Sequence, residues 1–311
     1  MFWPLIRLLP RETHFKFVSF APYAAGLSAL AVLAACASLF FNGLNLGVDF
    51  KGGTSLQIQT PGPAPLAALR ADLGKMGVKD AQIQQFGDPR SAMLRFESVA
   101  GVEPAEAVTA VKTKLSSDFQ GIQFISEDDV GATISGEVFR GGIIALGAAI
   151  GLMLLYIWFR FQLQFGLGAV IALFHDIILT MGMLSFFHIE FSLPSIAALL
   201  TVIGYSMNEK VISFDRLREN LRKYNKMPLA DVINLSENER LSRTLITGTT
   251  ALLALSGLLL VPIIYPVIIA MVFGIIVGTY SSIYVALPVI LLWGVNRHDD
   301  AEPAMPAPAR P

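Results

Sequence analysis

Between Phe191 and Asn220 an apolar segment long enough to cross a bilayer carries charge inside it. Asn208, Glu209 and Lys210 lie in its second half, and it leaves through Asp215, Arg216 and Arg218. A charge held in hydrocarbon costs about 2.5–3.5 kcal/mol on insertion scales. A segment that keeps Glu209 and Lys210 side by side must turn them toward protein or water, or use them. That restricts the chain to a transporter-like membrane protein rather than a passive anchor. Composition agrees: 15% of the 311 residues are charged and 54% are hydrophobic, where a soluble chain carries about 25% charged residues. A net charge of −1 supplies no global field for nucleic acid. A single cysteine, Cys36, excludes an internal disulfide.

Residues 1–17 form a basic tail with Arg7, Arg11 and Lys16, ahead of an apolar run over 18–41. Leu33-Ala34-Ala35-Cys36 has the shape of a lipoprotein cleavage box, but the run continues through Leu39, Phe40 and Phe41. It thus reaches the ~20 residues that a span needs, and reads as an uncleaved first transmembrane helix. Residues 42–135 change character. Alternating runs at Ser55–Gln59, Ala81–Phe86 and Ala92–Glu97 read as strands, with a further one at Ile122–Ser126. Helical segments at Pro65–Met76 and Pro104–Phe119 complete a β-α-β-β-α-β order, that of a ferredoxin-like α+β domain. Five more spans follow near 138–159, 164–187, 192–215, 242–263 and 266–293, within a membrane region 136–295 that includes a cytoplasmic loop 216–241. Residues 296–311, rich in Ala and Pro, read as a disordered cytoplasmic tail.

With six spans, Arg7, Arg11, Lys16, Arg160, Arg216, Arg218, Arg222, Lys223, Lys226, Arg240 and Arg297 all fall on one side. By the positive-inside rule both termini are cytoplasmic and 42–135 is extracytoplasmic. The same rule accounts for the basic run Arg216–Lys226 without a nucleic-acid partner.

On a helix, Ser206, Glu209, Ser213 and Arg216 form one polar stripe, and Arg243, Thr247 and Thr250 form another. Glu209 and Arg243 are placed to meet across a helix–helix interface. An Arg partner favours the ionised carboxylate while burial opposes it. A carboxylate that alternates between paired and unpaired states can load and release a proton; the other reading is a static pair that fixes packing. Lys210, about 100° round the helix, either snorkels to the headgroups or neutralises Glu209 or a partner's carboxylate. His175-Asp176, mid-span, is a second intramembrane ionisable pair, a relay or a structural pair. No metal site accompanies it. Gly47-Val48-Asp49-Phe50-Lys51-Gly52-Gly53-Thr54 lacks the Lys-Ser/Thr and helix start of a phosphate loop. Asp49, Gly52 and Gly53 read instead as a hinge or docking joint. No activated nucleophile, soluble acid–base pair or cofactor loop points to an enzyme or a cofactor.

The motifs Gly47–Thr54, Val130-Gly131-Ala132, Arg160-Phe161, Ala172–Asp176, Ile203–Ser206, Phe214–Asn220 and Leu241–Leu245 together resemble the SecF members of the SecD/SecF family, within the RND superfamily, over roughly residues 1–298. The resemblance implies an RND-like six-helix half in the bacterial inner membrane that pairs with SecD. It also implies use of the proton motive force to assist preproteins emerging from SecYEG. It assigns Glu209 as the proton carrier and Arg243 as its counter-charge, and leaves Asn208 to position the carboxylate. The chain departs from the family pattern at Glu209-Lys210, where Asp-Thr is usual, so Lys210 is expected to tune the coupling. It departs again at Thr247-Gly248-Thr249-Thr250 and at Val261-Pro262. Two other readings stand beside this one: a non-conducting scaffold of the translocon and a stand-alone RND exporter.

Overall fold

In the computed structural model the described residues are 13–76, 78, 81–96, 104–130, 132–259, 261 and 264–294. Residues 1–12 of the basic tail and the tail read as disordered, 296–311, lie outside them. The first apolar run forms α1 (Phe17–Phe41). Strand β1 (Asn45–Leu46), the short helix α2 (Val48–Lys51) and strand β2 (Gly53–Gln59) follow. Gly52 and Gly53 sit at φ +76° and +108°, a conformation open to glycine and strained for other residues. These two residues let the chain turn from α2 straight into β2.

The extramembrane unit continues through α3 (Leu66–Lys75), β3 (Gln82–Gln85), β4 (Ser91–Phe96), α4 (Pro104–Asp118) and β5 (Gln123–Val130). Its strands pair antiparallel in the order β3-β4-β2-β5. Leu56, Ile58, Leu94 and Phe96 on one face of the sheet pack against Leu69, Leu73, Val111 and Leu115 from the two helices. The opposite face is also buried, through Ser55, Gln57, Met93 and Arg95. It rests on the membrane unit, where Arg95 forms an ion pair with Glu190 and the Phe86 ring stacks on Tyr265.

The membrane unit comprises α5 (Ala132–Arg160), α6 (Leu163–Phe186), β6 (Glu190–Phe191), α7 (Leu193–Lys223), α8 (Leu229–Leu258), α9 (Tyr265–Tyr284) and α10 (Ala286–Trp293). Among the described residues four helices are long and apolar enough to cross a membrane: Phe17–Phe41, Ser135–Arg160, Leu163–Phe186 and Tyr265–Trp293. Helices α7 and α8 are longer still but carry charge. Helices α6, α7 and α9 form the interior, while α1 and α5 expose most of their apolar surface, as lipid-facing helices do. Gly278 of α9 permits a close approach to α7: a Cβ there would stand 2.9 Å from Ser206 Cβ.

One boundary differs from the sequence reading. The segment expected as the loop 216–241 is helical at both ends, and only 224–228 connects α7 to α8. Phe214, Leu217 and Leu221 of α7 join Val232 and Ile233 of α8 in the main core, so the charged stretch is one face of two amphipathic helix ends.

Candidate functional site

Helix α7 positions the site. A capping box between Ser192 and Ser195 starts it, and Asp49 Oδ2 accepts the Leu193 backbone N–H at 2.8 Å, adding a carboxylate at the positive end of the helix. Asp49 thus ties the Gly47–Thr54 segment to α7. Strand β1 holds it from the other side, pairing parallel with β6, and Gly47 N–H donates to the Phe191 carbonyl at 2.9 Å. A Cβ on Gly47 would come within 2.6 Å of Glu190 Oε1.

Along α7 three members of the expected stripe, Ser206, Glu209 and Ser213, are buried, while the fourth, Arg216, is half-buried and pairs with Glu219 and Glu239. Lys210 is buried as well, at 0% exposure, because α7 is enclosed by α6 on one side and by α8 and α9 on the other. Two ionic centres result.

In the first, Glu209 approaches Arg240 of α8, with Oε2 3.5 Å from Nη1. Neither Glu209 oxygen accepts a hydrogen bond among the described residues. Arg240 is held more tightly by Glu237, whose Oε1 and Oε2 each accept from Nε at 2.8 Å and whose Oε2 lies 2.7 Å from Nη2. Arg240 also donates to Thr244 Oγ1 at 2.9 Å and Ser282 Oγ at 3.0 Å, and Ser213 donates to Glu237 Oε1 at 2.8 Å. One guanidinium therefore stands between two buried carboxylates, fully bonded to one and merely near the other.

In the second, Asp176 of α6 takes Lys210 Nζ at 2.8 Å and Ser281 Oγ at 2.7 Å on Oδ2, together with Ser206 Oγ. Asp176 Oδ1 meets His175 Nδ1 at 2.9 Å. Among the described residues His175 Nε2 is buried without a partner, and its ring stacks near Tyr280.

Five residues fall elsewhere than expected. Arg243 does not reach Glu209. It is exposed on the wall of a polar cavity of about 420 Å³, shared with Ile212, Asp215, Arg216, Glu219, Glu239 and Arg240. Helix α8 turns inward the face of Val232, Ser236, Glu237, Arg240 and Thr244, and Arg243 lies about 60° round from Arg240 at 3.6 residues per turn. Thr247 is half-buried and Thr250 exposed, so the second stripe runs along the outer edge of the bundle. Asn208 is exposed and makes no hydrogen bond to Glu209. Lys210 neither snorkels nor pairs with Glu209; its partner is Asp176. Glu237, Arg240, Ser281 and Ser282 were missed as site residues. For the first two, the i, i+4 spacing of Val232, Ser236, Arg240 and Thr244 was the available signal.

Charges buried between membrane helices, beneath a small sheet domain, define an integral membrane protein with the ion-paired interior that transporters build. Family models agree on which one. The model "Protein export membrane protein SecD/SecF, C-terminal" matches residues 110–296, and the SecD/SecF GG motif matches residues 37–60. The chain belongs to the SecD/SecF family, among its SecF subunits.

It is 41% identical to the protein translocase subunit SecF of Cereibacter sphaeroides, over 94% of this chain and 93% of that one. It is 39% identical to that of Rhodobacter capsulatus, over 95% and 93%. The crystal structure of SecDF, a translocon-associated membrane protein from Thermus thermophilus, matches with a TM-score of 0.84 at 32% identity. That match covers 92% of this chain and 40% of the longer SecDF chain. A SecDF structure in a super-membrane-facing form matches with a TM-score of 0.63 at 30% identity, covering 93% and 40%.

Proposed function

We propose that this chain is a SecF subunit of the bacterial inner membrane that works beside SecD. It uses the proton motive force to assist preproteins emerging from SecYEG, with no enzymatic step, no cofactor and no nucleic-acid partner. Its membrane unit is an RND-like half of six spans. Helices α7 and α8 are the two that composition alone leaves out; at 1.5 Å per residue they are about 45 Å long, against a hydrocarbon core of about 30 Å. The sheet order β3-β4-β2-β5 supports a ferredoxin-like domain, read as extracytoplasmic.

One observation carries the ion-coupling reading: Glu209 is buried, unbonded at both oxygens among the described residues, and 3.5 Å from an arginine committed to another carboxylate. A carboxylate so placed has a neutral state and an ion-paired state within a small movement of Arg240. Arg240 also lines the polar cavity at the end of the bundle that carries Arg160 and Arg216, which gives Glu209 an aqueous neighbour. Each proton crossing supplies about 2.3 kcal/mol per 100 mV.

The test is preprotein translocation into inverted vesicles under an imposed proton gradient, wild type against Glu209→Gln. Loss of the gradient-dependent part, with the complex still assembled, is the expected result. Wild-type behaviour would reduce Glu209 to packing and the subunit to a scaffold.

A further inference from the structure

The second ionic centre has a composition that a plain ion pair does not require. Lys210 Nζ is enclosed by oxygens from two helices: Asp176 Oδ2 at 2.8 Å from α6, and the Ser206 carbonyl at 3.4 Å and Ser206 Oγ from α7. Ser281 Oγ of α9 closes the ring behind Asp176 Oδ2 at 2.7 Å. The Ser206 hydroxyl donates to Asp176 while accepting from Lys210, so its lone pair already faces a positive charge. Asp176, Ser206, Lys210 and Ser281 are all at 1% exposure or less. A carboxylate, a hydroxyl and a backbone carbonyl converging on one point are the ligands that hard cations take, and sodium in membrane transporters is held by such oxygens between helices.

We propose that Lys210 is a tethered cation that fills an alkali-cation site formed by Asp176 and Ser206, with Ser281 holding the Asp176 carboxylate in place. The ammonium carries the charge that sodium would bring, so the pocket of the wild-type protein is closed to sodium, and the proton is left as the ion that this half of the membrane path couples. The statement about coupling rests on the reading of Glu209 as carrier; the statement about the pocket does not. Removing the amine while keeping the oxygens leaves a buried carboxylate without its cation, a state that is strongly disfavoured unless a cation or a proton replaces it.

The experiment is thermal unfolding of the full chain in detergent at constant ionic strength, in sodium, potassium or choline chloride. Wild type, Lys210→Ala and Asp176→Asn/Lys210→Met are compared. Wild type should be indifferent to the cation. Lys210→Ala should melt higher in sodium than in choline, saturably and by roughly 5 °C, as a ligand that binds only the folded state requires. The double variant, with neither charge, should be indifferent again. Sodium stabilisation of the wild type to the same degree would overturn the proposal, because the amine would not then be filling the site. Equal melting of Lys210→Ala in all three salts would overturn it too. If Lys210→Ala folds only in sodium, the proposal is supported; if it folds in none while the double variant folds, it is wrong. None of these outcomes depends on transport, so a negative Glu209→Gln result and a negative sodium result are separate findings.

Discussion

Arg240 shows how far a single position can mislead. Its neighbour three residues on, Arg243, shares a polar stripe with Thr247 and Thr250, and the stripe is real, but it faces away from Glu209. What decides which arginine turns inward is where α8 begins, and a start at Leu229 was hidden behind the charges of 231–243. By contrast, Glu209, Ser206 and Ser213 were legible, because the apolar residues around them leave a helix no other way to turn. The His175-Asp176 pair was legible as a feature, but its partner was not: nothing in a linear sequence says that Lys210 of α7 reaches α6.

The two arginines make opposite predictions. Arg240→Gln removes the cation shared by Glu237 and Glu209, both 1% exposed, and should cost about 3–5 kcal/mol of folding stability. Arg243→Gln, on the open wall of a cavity, should cost within about 0.5 kcal/mol. Chemical denaturation of the two variants side by side checks this, and equal losses would mean that the buried pair contributes nothing particular.

At the scale of elements, the strands and helices of the sheet domain were legible to within a few residues, because period-two runs bounded by Gly and Pro leave little choice. Less legible was that the sheet is buried on both faces. Its polar face, with Ser55, Gln57 and Arg95, reads in sequence as solvent-facing, and it becomes an interface only because β6 brings Glu190 up against Arg95. That pair fastens the sheet to the membrane unit. Burial pushes Glu190 above its ordinary 4.5, with Arg95 opposing and Asp49 adding to the rise; burial likewise lowers Arg95.

The sign of the pH effect follows. A carboxyl raised in the folded state contributes stability that is complete below about pH 4.5 and lost as the pH rises through its folded value. This contribution should therefore fall as the pH rises above about 4.5, and Glu190→Gln should remove that part of the slope, as denaturation of both proteins at a series of pH values would show. Replacing either partner alone by Ala should cost about 3–5 kcal/mol, while Arg95→Met/Glu190→Leu should recover most of it. A double variant as weak as the singles would place the loss in shape rather than in charge.

For the whole molecule, topology turns on which helices cross. Composition selects four, and four spans would also return the chain to its starting side. What separates four from six is the path of α7 and α8. Helix α7 begins beside the sheet domain, where Leu193 N–H meets Asp49, and ends where Arg216 Nε donates to Glu239 of α8 at 2.8 Å. The start of α1 and the residues just before it lie at this second end, with Phe15 N–H donating to Asn238 Oδ1 at 2.8 Å and Val18 N–H to Asn234 Oδ1 at 3.0 Å. So α7 runs the length of the bundle, and α8 begins on the side where α1 begins. A helix that crossed while holding Glu209 and Lys210 would have to keep both inside the bundle, where Lys210 is bonded to Asp176 and Glu209 stands 3.5 Å from Arg240; such charges are why a hydropathy window passes α7 over.

On the proposed six-span reading, the sheet domain and the 224–228 connection lie on opposite sides. In a Cys36→Ser background, Ser117→Cys on α4 should react with a membrane-impermeant maleimide from outside intact spheroplasts. Lys226→Cys should react only after permeabilisation. Both positions are exposed, so access is set by the membrane rather than by packing. Labelling of both from the same side would mean that α7 does not cross, and the Glu209 centre would then lie outside any transmembrane path.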